Sequence, residues 1–188
     1  MKVVIIGGVA GGASCATRMR RMDENAEIVM FERGEHVSYA NCGLPYYLGG
    51  TIRTKGELLV ATPEFLKRRF RIDVRVRSEV VAIDRKAKKV RVREDDGREY
   101  DESYDKLVLA PGASAKTFGL GGEDTFTLRS VNDALAMDGY IRKNGAKSAL
   151  VAGGGFIGLE TAENLAERGL KVTLAEFAPQ VMPPLAPE

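Results

Sequence analysis

The chain has 188 residues, with 28 basic against 26 acidic side chains and a net charge of +2. That balance gives no push toward nucleic acid or an anionic membrane, and 44% hydrophobic residues suffice for a packed core rather than a disordered chain. Two cysteines and one histidine exclude a disulfide scaffold and a His- or Cys-rich metal cage, so no metal site is expected. No apolar run approaches the roughly 20 residues of a membrane span, and Met1-Lys2-Val3 enters an apolar run with no cleavage-site pattern. The expectation is a soluble protein of the reducing cytoplasm.

The first elements read strand, glycine turn, helix, strand. Val3-Val4-Ile5-Ile6 is wholly apolar, the mark of a strand buried on both faces of a parallel sheet. A turn at Gly7 to Gly12 leads into a helix over 11–22, with Cys15, Met19 and Met22 on one face. Glu27 to Glu32 is the next strand. The chain then reads as irregular from Arg33 to about Gly56. Thr62-Pro63 opens a helix with the cap and N1 proline in order, and Ile72 to Val76 is extended. Short alternating runs at 80–83, 90–93 and 98–100, the last two joined by Asp95-Asp96-Gly97, predict an antiparallel meander. Leu107 to Ala110 is a further strand, closed by Pro111-Gly112. Near residue 145 the opening pattern returns: strand 148–152, glycine turn 153–158, helix 156–168 stopped by Gly169, strand 172–174.

Gly153-x-Gly155-x-x-Gly158 is a complete dinucleotide fingerprint with a strand before it and a helix after it. Its backbone N–H groups, with Phe156 and Ile157 opening the helix, would face a pyrophosphate at the positive end of the helix dipole. Glu176 follows the next strand, where a carboxylate accepts from ribose hydroxyls and repels a 2′-phosphate; NADH is therefore favoured over NADPH. The first turn departs from the pattern. Gly7 and Gly12 hold the outer positions, but Val9 replaces the middle glycine, while Gly8, Ala10 and Gly11 complete the stretch. Glu32 again ends the next strand. Two nucleotide sites follow.

Cys42 lies in Ser38-Tyr39-Ala40-Asn41-Cys42-Gly43-Leu44-Pro45-Tyr46. Pro45 could open a short helix, whose start would favour the thiolate. His36 is nearby, yet no third orienting group makes a Cys–His hydrolase; a redox thiol needs no such base. Cys15, on the apolar helix face, reads as core.

Three stretches then carry a resemblance: Gly7 to Gly12, the Ser-x-x-Asn-Cys-x-Leu-Pro run at Ser38 to Pro45, and Tyr104-Asp105-Lys106-Leu107-Val108-Leu109-Ala110-Pro111-Gly112. Together they resemble the coenzyme A-disulfide reductase branch of the flavin-dependent pyridine nucleotide–disulfide oxidoreductases, near the NADH oxidases and NADH-dependent persulfide reductases. The resemblance covers essentially the whole chain. It implies an α/β fold: a Rossmann-like FAD-binding domain carrying a small antiparallel meander (1–145), then the start of a second Rossmann-like, NADH-binding domain (146–188). It implies that Gly7 to Gly12 bind the FAD pyrophosphate and Glu32 the adenosine ribose. Arg33, Asn41, the backbone near Val81 and Ala110-Pro111-Gly112 would complete the FAD contacts.

By the same resemblance, Cys42 is the single redox cysteine, pairing with coenzyme A rather than with a second protein thiol. Ser14, Arg18 and Arg21, at helical spacing, with Ser38 and Asn41, would contact coenzyme A; two guanidiniums suit its phosphates. Oxidase and peroxidase relatives carry a histidine in the first glycine loop where this chain has Ala10, which tilts the reading toward disulfide or persulfide substrates. The alternatives are a water-forming NADH oxidase that cycles Cys42 through sulfenic acid, and a nucleotide-binding piece without turnover. Family members are longer and dimeric, so the stretch Val181 to Glu188 reads as the point at which a homodimeric protein's second nucleotide fold breaks off.

Overall fold

The computed structural model describes residues 1–117 and 119–182. The closing run 183–188, the end of the stretch read above as the break in the second nucleotide fold, lies outside the described residues. Contacts group the chain into two compact units, Met1–Tyr39 with Leu59–Ala113, and Ala40–Leu58 with Ser114–Glu188. These units interleave along the chain, because 40–58 leaves and returns where the Ala40 N–H meets the Leu58 carbonyl at 2.8 Å.

The first unit begins with β1 (Lys2–Ile6), α1 (Gly11–Met22) and β2 (Glu27–Phe31). A parallel four-stranded sheet orders β3-β2-β1-β7, where β3 is Ile72–Arg75 and β7 is Lys106–Leu109. Val3, Val4 and Ile5 are fully buried because both faces of the sheet are covered, as an all-apolar strand predicts. On one face, Val3, Ile5, Ile28 and Met30 pack with Ala16 and Leu66, the latter from the helix Pro63–Phe70. On the other, Val4, Val29 and Phe31 meet Val90 and Val92. Those two valines belong to the meander that runs through Ser78–Asp84, Lys89–Glu94 and Glu99–Ser103. The expected Asp-Asp-Gly turn is present, with Gly97 at φ +84°.

The meander is also tied to the sheet by charge. Glu102 accepts from Lys2 at 2.7 Å and from Arg75 at 2.6 Å, and the Arg75 guanidinium lies over the Phe31 ring. Burial alone would raise the Glu102 carboxyl, but the hydrogen bonds from Lys2 and Arg75 outweigh it and hold it below its ordinary range.

The packed face of α1 differs from the expected Cys15–Met19–Met22 stripe. Gly12, Ala13 and Ala16 are buried, Met19 of the expected stripe is half-buried and packs against the core, Cys15 is half-buried, and Met22 is 73% exposed. Small residues face the sheet, so the helix can sit close to it, and Met22, the helix's last residue, stays in solvent. Arg20, off the Arg18–Arg21 stripe, donates to the carbonyls of Phe70, Arg71, Asp23 and Glu24 at 2.7–3.2 Å. One guanidinium thus satisfies the ends of two helices.

The second unit holds a 3-10 turn at Asn41–Gly43, then α2 (Leu44–Gly49) and a short helix Lys55–Leu58. The stretch read as irregular stays irregular over 33–40 and 50–54 but carries the 3-10 turn and α2 between them, with Pro45 in the first turn of α2. The unit continues with α5 (Val131–Asn144; the helices 55–58 and 63–70 are α3 and α4), β8 (Ser148–Ala152), α6 (Phe156–Glu167) and β9 (Lys171–Ala175). The strands β8 and β9 pair in parallel, and Leu48, Leu165 and Leu170 form the core. The sequence reading missed α5, although its signals were present: a Ser130–Asp133 capping box and Gly145 in the left-handed conformation beyond its end.

Candidate functional site

The turn between β1 and α1 is fixed by its own backbone. The Gly7 N–H donates to Phe31 O at 2.8 Å, with Gly7 at φ +95°. A Cβ on Gly12 would overlap the Gly7 carbonyl oxygen, so the helix starts against the turn only with glycine there. Glu32 clamps the turn: Oε2 accepts from Gly8 N at 2.9 Å and Oε1 from Gly34 N at 2.8 Å. The Gly8 carbonyl in turn accepts from Ser38 N at 3.0 Å.

The second turn repeats this bond for bond. Gly153 N donates to Ala175 O at 2.8 Å, and a Cβ on Gly158 would overlap the Gly153 oxygen. Glu176 accepts from Gly154 N at 2.5 Å and from Ala178 N at 2.8 Å. Those backbone donors hold the Glu176 carboxyl below its ordinary range, so it stays ionised. Met182 N meets the Gly154 carbonyl at 2.8 Å, as Ser38 N meets that of Gly8.

This equivalence explains Val9. Its counterpart is Gly155, where an added Cβ would meet nothing within 4 Å; the fold itself does not require glycine in the middle position. Neither α1 nor α6 has a side-chain cap, which leaves first-turn N–H groups for an anion. Each carboxylate retains lone pairs beyond those used on the turn. Both turns therefore fit a dinucleotide: N–H groups for the pyrophosphate, and Glu32 or Glu176 for a ribose. Phe156 and Ile157, at the start of α6, are 63% and 58% exposed.

Other candidates in the first unit gather unevenly. Ala110 N donates to Ile6 O at 2.8 Å and its methyl lies 3.6 Å from where a Gly11 Cβ would stand, so Ala110-Pro111-Gly112 runs beside the first turn. Val81 is the extra residue of a bulge in Ser78–Asp84, since the register jumps between Val80 and Ala82; a bulge turns backbone groups out of the ladder. Arg33 is exposed, and so are Ser14, Arg18 and Arg21 on the outer side of α1. Ser38 has φ +46°, and its carbonyl accepts from Val60 N and Ala61 N at 2.8 and 3.1 Å. No sequence signal pointed to that left-handed serine or to Gly34 as a donor to Glu32.

In the second unit Cys42 is exposed at the centre of the 3-10 turn. Gly43 N donates to Ala40 O at 2.9 Å, Asn41 precedes the thiol, and Leu44, Pro45 and Leu48 are buried anchors behind it. Cys15 is a free thiol too, but half-buried. Among the described residues no group of acids, cysteines and histidine could hold a metal ion, and no helix is long and apolar enough to cross a membrane.

Comparison with known proteins agrees with this arrangement. The family model for pyridine nucleotide-disulphide oxidoreductases matches residues 1–188. The coenzyme A disulfide reductase of Staphylococcus haemolyticus (strain JCSC1435) is 42% identical over 181 residues, covering 96% of this chain and 41% of the relative. The structure of reduced Bacillus anthracis CoADR-RHD superposes with a TM-score of 0.94 at 49% identity, covering 98% of this chain and 34% of the other. A NAD-dependent persulfide reductase from A. fulgidus gives 0.92 at 37%, covering 97% and 35%. The chain thus spans about two fifths of the length of its curated relative. With both glycine turns, their acidic clamps and the cysteine segment inside the matched span, the chain belongs to the pyridine nucleotide-disulphide oxidoreductase family.

Proposed function

We propose that the protein to which this chain belongs uses NADH to reduce coenzyme A disulfide, or a persulfide of similar chemistry, through FAD and the single redox cysteine Cys42. The observation that carries the reading is Cys42 itself, an exposed thiol on a turn with buried anchors, in a chain 42% identical to an enzyme named for that substrate. Residues 1–145 form the FAD-binding part and 146–188 the start of the NADH-binding part. The assembly is a homodimer, and the compartment is the cytoplasm.

The first-turn N–H groups after Gly7 to Gly12 hold the FAD pyrophosphate, Glu32 accepts from its ribose, and Arg33, Asn41, the Val81 bulge and Ala110-Pro111-Gly112 line the remainder. When bound, FAD supplies the two-electron exchange between a dihydronicotinamide and a thiol. Gly153 to Gly158 hold the NADH pyrophosphate and Glu176 accepts from its ribose hydroxyls. The Cys42 thiolate attacks one sulfur of the disulfide, forming a Cys42–coenzyme A bond and releasing one coenzyme A thiolate. Two electrons from NADH, with protons taken up at sulfur, reopen that bond and release the second coenzyme A. The balance is one NADH and one proton consumed for two thiols released. An assay of free thiol against NADH tests this; oxygen consumption without thiol release would instead make the protein a water-forming NADH oxidase.

Arg18 and Arg21 account for coenzyme A recognition together with Ser14, Ser38 and Asn41. Replacing both arginines by Ala in the full-length protein should raise KM for coenzyme A disulfide about a hundredfold or more, at about 1.5–3 kcal/mol for each of the two charged contacts. KM for a small disulfide should stay near its original value. Equal losses on both substrates would remove coenzyme A from the role of the arginines.

Glu176 sets the nucleotide. The Glu176→Arg substitution exchanges a carboxylate that repels a 2′-phosphate for a guanidinium that binds it. The ratio of kcat/KM for NADPH over NADH should rise by about tenfold or more. A parent enzyme that already prefers NADPH would show the ribose assignment to be wrong.

A further inference from the structure

Asn164 lies in α6 and is 1% exposed. Its Nδ2 donates to Glu160 O at 2.8 Å within the helix, while its Oδ1 is buried and accepts no hydrogen bond among the described residues. A buried oxygen without a donor gives up its hydration for nothing, so a position that keeps one calls for a reason. What the amide faces is Gly49, the last residue of α2. A Cβ on Gly49 would collide with Oδ1 and come within 3.1 Å of both Cβ and Cγ of Asn164. The oxygen therefore occupies the space that a side chain on Gly49 would need. A leucine of similar size would avoid the polar cost, but its position would be free to adjust. The amide is locked by its own bond to Glu160, so the oxygen is a fixed stop.

A second bond holds the same end of α2. Arg168, just beyond α6, donates from Nη1 to Leu48 O at 3.0 Å and pairs with Asp138 of α5 at 2.8 Å. Asp138 is 8% exposed, and Arg142 approaches its other oxygen at 3.0 Å. The last two residues of α2, Leu48 and Gly49, are thus seated on α6 and its following residue. Because α2 is only six residues long and follows directly on the turn that carries Cys42, it moves as one piece. A slide of Gly49 along α6 displaces the thiol with it.

We propose that Asn164 is a positioning residue: its fixed amide oxygen, set against bare Gly49, seats α2 on α6 and so determines where Cys42 is presented. The inference rests on the redox role assigned to Cys42.

The test uses the flavin-loaded, full-length protein with two electron acceptors. Ferricyanide draws electrons from NADH through the flavin alone, whereas disulfide reduction needs Cys42. The Gly49→Ala variant should lose about tenfold to hundredfold in disulfide reduction, the scale of a misplaced reacting group, with ferricyanide reduction within about twofold. Adding Asn164→Ala to it, which empties the space the new methyl needs, should restore most of the loss. Asn164→Ala alone should lower disulfide reduction several-fold and change the iodoacetamide labelling rate of Cys42, read by mass spectrometry, while the melting temperature and ferricyanide rate hold. This last variant decides the matter if Gly49→Ala does not fold. Parallel loss of both acceptor activities, absence of rescue, or unaltered labelling and disulfide reduction in Asn164→Ala would overturn the proposal. A Cys42→Ser control that still reduces disulfide would instead remove the reading on which it rests.

Discussion

Replacing Cys42 by Ser should abolish coenzyme A disulfide reduction in the full-length protein while its flavin stays bound. Apart from Asn41, which lies beside the thiol and is also assigned to the flavin, different residues carry the two properties. The flavin is assigned to the turn at Gly7 to Gly12 and its Glu32 clamp, which belong to the first contact unit, whereas Cys42 belongs to the second. A serine hydroxyl is nearly the size of a thiol, so the turn at Asn41–Gly43 should keep its shape. What disappears is the nucleophile that opens the disulfide. Before substitution, the purified protein should carry an adduct of coenzyme A mass on Cys42, released by NADH. The Cys15→Ala variant is the matched control: a half-buried side chain on α1 should cost about 1 kcal/mol of stability and leave turnover intact. An adduct on Cys15, or a Cys42→Ser protein that still turns over, would overturn the mechanism.

The second large effect is expected at Gly12. A Cβ there would lie inside the Gly7 carbonyl oxygen, and both partners are backbone, so no rotamer change relieves the clash. The Gly12→Val variant should lose about 3 kcal/mol or more of stability and emerge without visible flavin absorbance. The informative comparison is Val9→Gly, which restores the usual middle glycine. The equivalent position in the second turn, Gly155, has open space around it, so this variant should keep both flavin content and melting temperature. Flavin bound normally by Gly12→Val would mean that the first turn is not the pyrophosphate site.

What could be read from the sequence was whatever depends on local pattern. The all-apolar run Val3 to Ile6, the two glycine turns and the Asp95-Asp96-Gly97 hairpin each announce themselves through periodicity or turn chemistry, and the parallel sheet and meander stand where those signals place them. The α1 face was misread because residue size, not hydrophobicity, decided it: a helix packed tightly on a sheet uses Gly12, Ala13 and Ala16 and leaves Met22 outside. Ser38 in the left-handed region and the donation from Gly34 to Glu32 depend on backbone torsions, which side-chain identity leaves open at such positions. The contact of Asn164 with Gly49 joins residues far apart in the chain, and neither position carries a pattern that points to the other. Candidate groups were thus legible as types and spacings; what holds them in place was not.

The strand order β3-β2-β1-β7 also bears on the birth of the protein. Of these four strands the earliest in the chain lies inside the sheet. It can pair with β2 early, but its other edge waits for Lys106 to Leu109. Some 75 residues separate the end of β2 from the start of β7, which at about 5–20 residues per second leaves that edge open for roughly 4–15 s of translation. During this interval the backbone of Val3 to Ile6 presents unpaired N–H and C=O groups on an apolar strand, the kind of edge that recruits other chains. A lesion that weakens β7 would therefore be felt first as aggregation of nascent chains, before any nucleotide has been bound.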